Sequence, residues 1–472
     1  MKNKRALILK YLFFDLLSAT FTWWFFFRYR KKFLEPRKFG YDIEVLYDDN
    51  FYLGLLIIPM AWIILYALSG HYARIFRKHR LRELGQTLVA CLFGSLIIFF
   101  VLILDDQIAT YRDYYMAFLI LFFLQFGTTF FFRFLLTSNT VKKVHRGVIG
   151  FNTIIIGGGQ AAAGIVSEIN ELKKSPGYHF KGFMTYNGED VVMEGSGLKS
   201  LGEFKKISEV VQCEQIEEVI VAVESTDHRA LGDIISHLEE HPVSIKILPD
   251  MYDILSGSVK MTSIFGAPLI EVNREIMPAW QRSLKRIMDI GISMLCLVVL
   301  APLYIGLMIA VKLSSPGPTF FRQERLGHLG RPFEIIKFRT MFTDAEKEGP
   351  QLSSENDTRI TPLGKWMRKT RLDEFPQFYN VLKGDMSLVG PRPERQFFID
   401  QIMKVAPHYR HLHKVRPGIT SWGQVKYGYA ENVDQMVQRL KYDVIYIENM
   451  SLAVDFKILG YTVLTVLKGA GK

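Results

Sequence analysis

Two adjacent carboxylates, Asp373 and Glu374, stand among Arg368, Lys369, Arg371 and Lys383 in the run RKTRLDEFPQFYNVLKGDMSLVGPRP, residues 368–393. Neighbouring carboxylates can divide labour on a phosphate: one attacks phosphorus, and the other holds a divalent metal that neutralises the oxygens. Arginines add bidentate recognition of phosphate oxygens. On an ordinary helix an Asp-Glu pair is usually a solvated pair, and scattered arginines are surface residues. Clustered around a carboxylate pair and a Pro-Arg-Pro turn, they read as a diphosphate site. Leu372 and Phe375-Pro376 predict a helix stopping at the pair, because proline disfavours helix in the residue before it. Four further blocks share this basic, Gly- and Pro-punctuated character. They are Lys285-Arg286-x-x-Asp289, Gln323-x-Arg325-x-Gly327, the KFRTM run with Lys337 and Arg339, and the KVRPGIT run with Arg416.

Those residues need elements to hold them, and the composition says where. At 472 residues the chain predicts two or three domains. Hydrophobic residues make up 49%, and the apolar weight is concentrated in four segments, Tyr11–Phe27, Phe51–Ser69, Thr87–Leu104 and Tyr114–Leu136. Each approaches or reaches the ~20 residues a helix needs to cross a bilayer. The loops after the second and fourth are basic, while the loop between the third and fourth holds Asp105, Asp106 and Asp113, which puts both ends of the bundle on the cytoplasmic side. Arg28, Arg30, Lys31 and Lys32 after the first segment run against that balance. Net charge is +11, and residues 281–472 carry 28 Lys and Arg against 18 Asp and Glu. A basic C-terminal part suits an anionic membrane face or a polyphosphate substrate. Nucleic acid is not expected, since no helix-turn-helix, zinc or aromatic-basic platform is present. Cys91, Cys213 and Cys296 build neither a disulfide framework nor a zinc spacing, which fits a reducing compartment.

Between the bundle and the basic part, residues 150–275 alternate short β-rich runs with helical ones. Strands are predicted at Asn152–Ile156, Phe180–Met184, Glu218–Val223 and Val243–Leu248, with helices between, as in a small parallel α/β domain. Gly157-x-Gly159-x-x-Ala162 follows the first strand in the pattern of a dinucleotide-binding turn. The acid that should hold a ribose is not at the end of the second strand, where Glu189 and Asp190 come first. A tight turn in a non-binding domain fits equally well. A membrane nucleotide-sugar dehydratase is one competing class, but its Tyr-x-x-x-Lys pair is absent from 150–280. A membrane nucleotide sensor with an idle transferase domain is another.

In the LDE-x-P-Q, NVLKGDMS-x-VGPRP and KVRPGIT motifs, over about residues 285–470, the chain resembles the bacterial polyprenyl-phosphate hexose-1-phosphate transferases. Its four spans and α/β domain resemble the large members of that family. The resemblance implies a multi-domain integral membrane protein. Residues 1–146 would be a four-helix transmembrane domain, 147–275 a Rossmann-like α/β domain, and 281–472 a mainly α, monotopic catalytic domain with a re-entrant membrane helix. It further implies Asp373 as nucleophile and Glu374 as ligand of Mg2+, acting on a UDP-sugar and undecaprenyl phosphate. Lys337, Arg339, Arg368, Arg392, Arg416 and Asp443 fall at family positions for substrate contacts. The lipid bilayer and a second copy in a homodimer are the expected partners, and the bacterial inner membrane is the expected location, with the catalytic domain cytoplasmic. The re-entrant helix would occupy Ile290–Leu313 and break at Pro302, where a Ser-Pro pair of the family has become Ala301-Pro302. Lys285, Arg286 and Lys312 would then rest among the same anionic headgroups.

Overall fold

A computed structural model describes the chain except residues 1–3, 40, 42–43, 74, 104–110, 173, 187–192, 194–196, 224–227, 240, 250–268, 273–275, 346–348, 350–356, 429, 431 and 468–472. The chain forms two compact units, Met1–Asn273 and Arg274–Lys472.

The first unit opens with helices α1 (Lys4–Tyr29), α2 (Glu35–Phe39), α3 (Asp49–Leu68), α4 (Arg80–Ile98) and α5 (Tyr111–His145). Four continuous helical stretches here are long and apolar enough to cross a membrane: Lys4–Arg37, Asp49–Leu68, Arg80–Val101 and Arg112–His145. They are packed by large aromatics laid against small residues. A Cβ on Gly54 would lie 2.2 Å from the Trp23 ring, and one on Gly94 would lie 2.3 Å from Trp62. Such close approaches replace the hydrophobic effect as the source of helix association in lipid. Some of the basic residues in and after the first segment meet acids locally. Lys31 pairs with Glu35 at 3.1 Å and Asp48 at 3.5 Å, Arg30 pairs with Glu35, and Arg37 reaches Asp113 at 2.8 Å. Their opposition to the whole-chain charge balance is thereby blunted. Inside the bundle, Arg133 of α5 donates two 2.8 Å bonds to Asp15 of α1 and lies 4.1 Å over the Tyr66 ring of α3.

The remainder of this unit is a sheet with strands β1 (Phe151–Ile156), β2 (Tyr178–Thr185), β3 (Ser200–Glu203), β4 (Glu218–Val221), β5 (Ser244–Ile247) and β6 (Ile270–Glu271). Their order is β3-β2-β1-β4-β5-β6, parallel except for β6. Helices α6 (Gln160–Glu171), α7 (Ile207–Cys213) and α8 (His228–Leu238) supply the crossovers. The β3-β2-β1-β4-β5 order is that of a doubly wound dinucleotide fold. Gly157 sits at φ +127°, and a Cβ there would meet the Ala222 carbonyl oxygen at 2.5 Å. Packing against the end of β4 thus requires this glycine whether or not a ligand binds. Thr185 ends β2; Glu189 and Asp190 lie outside the described residues. Arg77, in the loop between α3 and α4, meets the amino ends of three strands. It stacks 4.5 Å over Phe151, pairs with the buried Glu218, and donates to Ser244 at 3.2 Å. Lys246 closes the same edge, donating to Glu218 and to Tyr178 of β2, both at 2.8 Å.

The second unit begins with α9 (Ala279–Val299) and α10 (Ala301–Ser314), which are bent by 64° at Leu300. Pro302 occupies the first turn of α10, where its missing N–H costs little and the preceding helix cannot continue through it. A hairpin, β7 (Phe320–Leu326) and β8 (Pro332–Phe338), leads to α11 (Pro362–Lys369) and α12 (Gln377–Lys383). Strand β9 (Ser387–Val389) pairs in parallel with β10 (Gly418–Thr420). Helices α13 (Gln396–Val405), α14 (Trp422–Lys426), α15 (Val433–Glu448) and α16 (Leu452–Leu467) complete the core with β9. The Lys285-Arg286-x-x-Asp289 block is a fastening and not a headgroup contact. Lys285 is buried and donates to Asp455 at 2.7 Å and to the Val389 carbonyl. Arg286 donates to the carbonyls of Val381 and Leu382 in the last turn of α12, where helical partners run out. Asp289 accepts from Ser387 Oγ and Leu388 N. Only Lys312 of the three cations is exposed.

Candidate active site

The dyad lies on a single 3-10 turn, Leu372–Glu374, between α11 and α12. Thr361 caps α11 by accepting from Gly364 N at 3.0 Å, and the helix ends at Lys369. The chain reverses through Arg371, a non-glycine residue at φ +56° and ψ +19°. Left-handed backbone at such a residue is uncommon and is found disproportionately at functional sites. Asn380 ties α12 to β8: its Oδ1 accepts from Ile336 N at 3.1 Å, and its Nδ2 donates to the Glu334 carbonyl at 2.7 Å. That seam brings Lys337 of β8 to the dyad.

Both carboxylates are buried, yet their environments differ. Lys337 Nζ donates to Glu374 Oε1 at 2.8 Å, Arg392 reaches the same oxygen at 3.5 Å, and Arg371 stands 3.9 Å from Oε2. Burial pushes the Glu374 carboxyl up, but Lys337, Arg392 and Arg371 together outweigh it and hold the pKa far below the usual range. Asp373 has no such partner: among the described residues nothing hydrogen-bonds its carboxylate. Burial, and then the charge of Glu374, push it up to about 6, against the opposing pull of Lys337, Arg368 and Arg392. Burial lowers the Lys337 ammonium, and Glu374 partly restores it. Two carboxylates side by side are thus driven apart in acidity, the pattern that assigns two roles to two acids.

Of the residues expected at the site, the structure brings Lys337 and Arg392 into contact with Glu374. Arg368 acts on Asp373 through space while its Nε donates to Thr340 Oγ1 at 2.9 Å. Arg339 is committed elsewhere: its guanidinium donates to the Ser315 carbonyl at 2.6 Å, Ser315 Oγ at 3.0 Å and the Pro316 carbonyl at 2.9 Å, just past α10. Asp443 accepts from Gly423 N at 3.0 Å, and burial pushes it up to about 6 despite Arg439. Beside it, Glu394 joins Arg439 at 2.6 Å and Arg325 at 3.2 Å, an interior ion network that lies in electrostatic reach of Arg392 and so borders the dyad. Arg416 is exposed and lies in electrostatic reach of Arg286 and His328. Arg371, one of the cations clustered around the pair in sequence, is brought beside Glu374 by its left-handed backbone. One contributor lies outside the residues singled out from sequence. Tyr304 of α10 donates to the Phe375 carbonyl at 2.6 Å, a contact no spacing announces.

The donor set suits a divalent cation that borrows ligands from its substrate. Glu374 Oε2 is buried without a hydrogen-bond partner, and Asp373 is its immediate neighbour. Among the described residues no group of three or more His, Cys, Asp or Glu could hold an ion alone. Mg2+ is commonly held by one or two carboxylates together with substrate phosphates and water.

Comparison with known proteins places this site in a class. The family described as bacterial sugar transferase matches residues 280–469, and one described as a CoA-binding domain matches 67–249. A UDP-N-acetylgalactosamine-undecaprenyl-phosphate N-acetylgalactosaminephosphotransferase of Aeromonas hydrophila is 45% identical over 188 residues, 40% of this chain and 44% of that one. A UDP-glucose:undecaprenyl-phosphate glucose-1-phosphate transferase of Escherichia coli is 34% identical over 57% of this chain and 58% of its own length. The match therefore spans about half the length of these two relatives. A Caulobacter vibrioides protein of the latter name is 37% identical over 241 residues, 50% of this chain and 84% of the relative. The chain belongs to the bacterial sugar transferase family.

Proposed function

We propose that the chain is a phosphoglycosyl transferase that moves a hexose-1-phosphate from a UDP-sugar to undecaprenyl phosphate, the first membrane step of surface polysaccharide synthesis. The observation that carries this reading is the asymmetry of the dyad: Glu374 is surrounded by three cations, while Asp373 beside it is buried and nothing among the described residues hydrogen-bonds its carboxylate. An Asp373 oxygen attacks the sugar-side phosphorus, the P–O bond to the nucleotide breaks, and UMP leaves with the bridging oxygen and its electron pair. An oxygen of the polyprenyl phosphate then attacks the aspartyl phosphosugar, and the carboxylate departs regenerated. Lys337, Arg371 and Arg392 fix Glu374 and keep positive potential on the developing phosphoryl charge. Glu374, with Asp373 beside it, would hold Mg2+, which supplies charge neutralisation on the diphosphate when bound.

The 64° bend supports a helix pair that dips into the cytoplasmic leaflet of the inner membrane and returns, leaving the catalytic unit on the side where nucleotide sugars are found. The apolar surface of both halves, including Leu295, Val298, Leu303 and Ile309, is exposed as that reading requires. The names of the relatives support the substrate classes and leave the hexose open. The test is UMP release by the purified full-length protein from a panel of UDP-sugars with undecaprenyl phosphate and Mg2+. Release from one or more sugars, abolished in Asp373→Asn, is the expected result. No release from any sugar by folded protein would refute the reading.

A further inference from the structure

Among the described residues, one hydroxyl of the broken helix makes a directional contact with the turn that carries the dyad. Tyr304 lies in the first turn of α10, two residues beyond Pro302. Its ring packs 5.8 Å from Phe338 and 6.2 Å from Phe375, and its hydroxyl donates to the Phe375 carbonyl at 2.6 Å. Phe375 directly follows Glu374.

The rest of this face of α10 is apolar. Leu307, Met308 and Val311 pack with Phe338, Met367, Leu363 and Leu372. Apolar contact is non-directional and leaves a helix free to slide by small amounts along its axis. Hydrogen bonds fix that slide, and α10 has one set at each end. Arg339 holds the carbonyls beyond its C-terminus, and Tyr304 holds the turn carrying the dyad near its N-terminus. On the opposite side Leu303, Ile305, Ile309 and Leu313 are exposed and set the depth of the helix in lipid.

Resting on the function proposed above, we infer that Tyr304 is a positioning residue: its hydroxyl registers the dyad turn against the membrane helix, and so sets the carboxylates at the level of the lipid phosphate. Its partner is a backbone carbonyl, so the link acts through the turn and not on substrate.

The experiment compares wild type, Tyr304→Phe, Tyr304→Leu and Asp373→Asn, full length in liposomes, by UMP release. Tyr304→Phe keeps the ring and removes only the hydrogen bond. We expect its kcat to fall about fivefold, on the scale of one such bond. KM for the UDP-sugar should stay within about twofold, with Tm close to wild type. A loss in kcat at unchanged KM and Tm is the split that reads positioning, because general destabilisation would lower Tm with it. Tyr304→Leu should lose more activity and some stability. Unchanged kcat in Tyr304→Phe, with Asp373→Asn inactive, would overturn the positioning role and leave the proposed reaction standing. Asp373→Asn as active as wild type would overturn the reaction itself, and the positioning role with it.

Discussion

Lys337→Met separates the two carboxylates experimentally. In the native site the Lys337 ammonium bonds Glu374 at 2.8 Å and pulls the Asp373 pKa down against burial, leaving it at about 6. A neighbouring unit charge in an effective dielectric of ~20 contributes on the order of 2 kcal/mol, or about 1.5 pKa units. Arg368 and Arg392 remain, and water entering the vacated space screens part of the change. The expected rise is therefore about one unit, to about 7. The nucleophile is the ionised form, so activity is lost as pH falls through this value. At pH 6 wild type has half its Asp373 ionised and the variant about one tenth; at pH 9 both are fully ionised. The assay is kcat/KM for UMP release across pH 5 to 9 in saturating lipid and Mg2+. The variant-to-wild-type ratio should be about fivefold worse at pH 6 than at pH 9, on top of a pH-independent loss. Lys337→Arg, which keeps the charge, should hold its acid limb near that of wild type and guards against a folding artefact. An acid limb that stays within about 0.3 pH units in Lys337→Met would refute the electrostatic account of Asp373.

Asp373→Asn should abolish turnover and covalent labelling, whereas Glu374→Gln should weaken Mg2+ dependence and cripple the rate; a steady-state assay with Mg2+ titration reads both. A chain shortened to Gln281–Lys472 should retain UMP release in liposomes, because the dyad and its cations lie in one compact unit; a folded but wholly inactive fragment would make the α/β sheet catalytic. Cysteines at Ser283 and Ser314, in a background lacking the three native cysteines, should be labelled only from the cytoplasmic side. Ser314 is chosen because Ser315 is buried against Arg339, and periplasmic labelling of it would sink the re-entrant reading.

The strands and spans were legible because each rests on local pattern. Predicted Asn152–Ile156 appears as Phe151–Ile156, and predicted Glu218–Val223 as Glu218–Val221. Asp373 and Glu374 stood out only because arginines and a Pro-Arg-Pro turn cluster around them; an Asp-Glu pair alone reads as solvated surface. What sequence could not show are contacts made across the fold. KFRTM presents Lys337 and Arg339 two residues apart, yet one reaches Glu374 and the other closes the end of α10. Lys285 and Arg286 look like headgroup ligands beside an apolar run, but a compact core gave them interior partners. Tyr304 has the look of an interfacial aromatic, and its role rests on one backbone carbonyl 71 residues away.

Arg77 reaches strands that are synthesised long after it. When the loop between α3 and α4 emerges from the ribosome, Phe151, Glu218 and Ser244 do not yet exist as partners, and Arg77 is one of several cations flanking a membrane helix. In that period its charge is one of the cations that bias how a span is oriented. Once β1, β4 and β5 have formed, the same guanidinium plugs the rim where they begin. One side chain thus serves two stages in the life of the chain, first as a topology signal and later as a rivet.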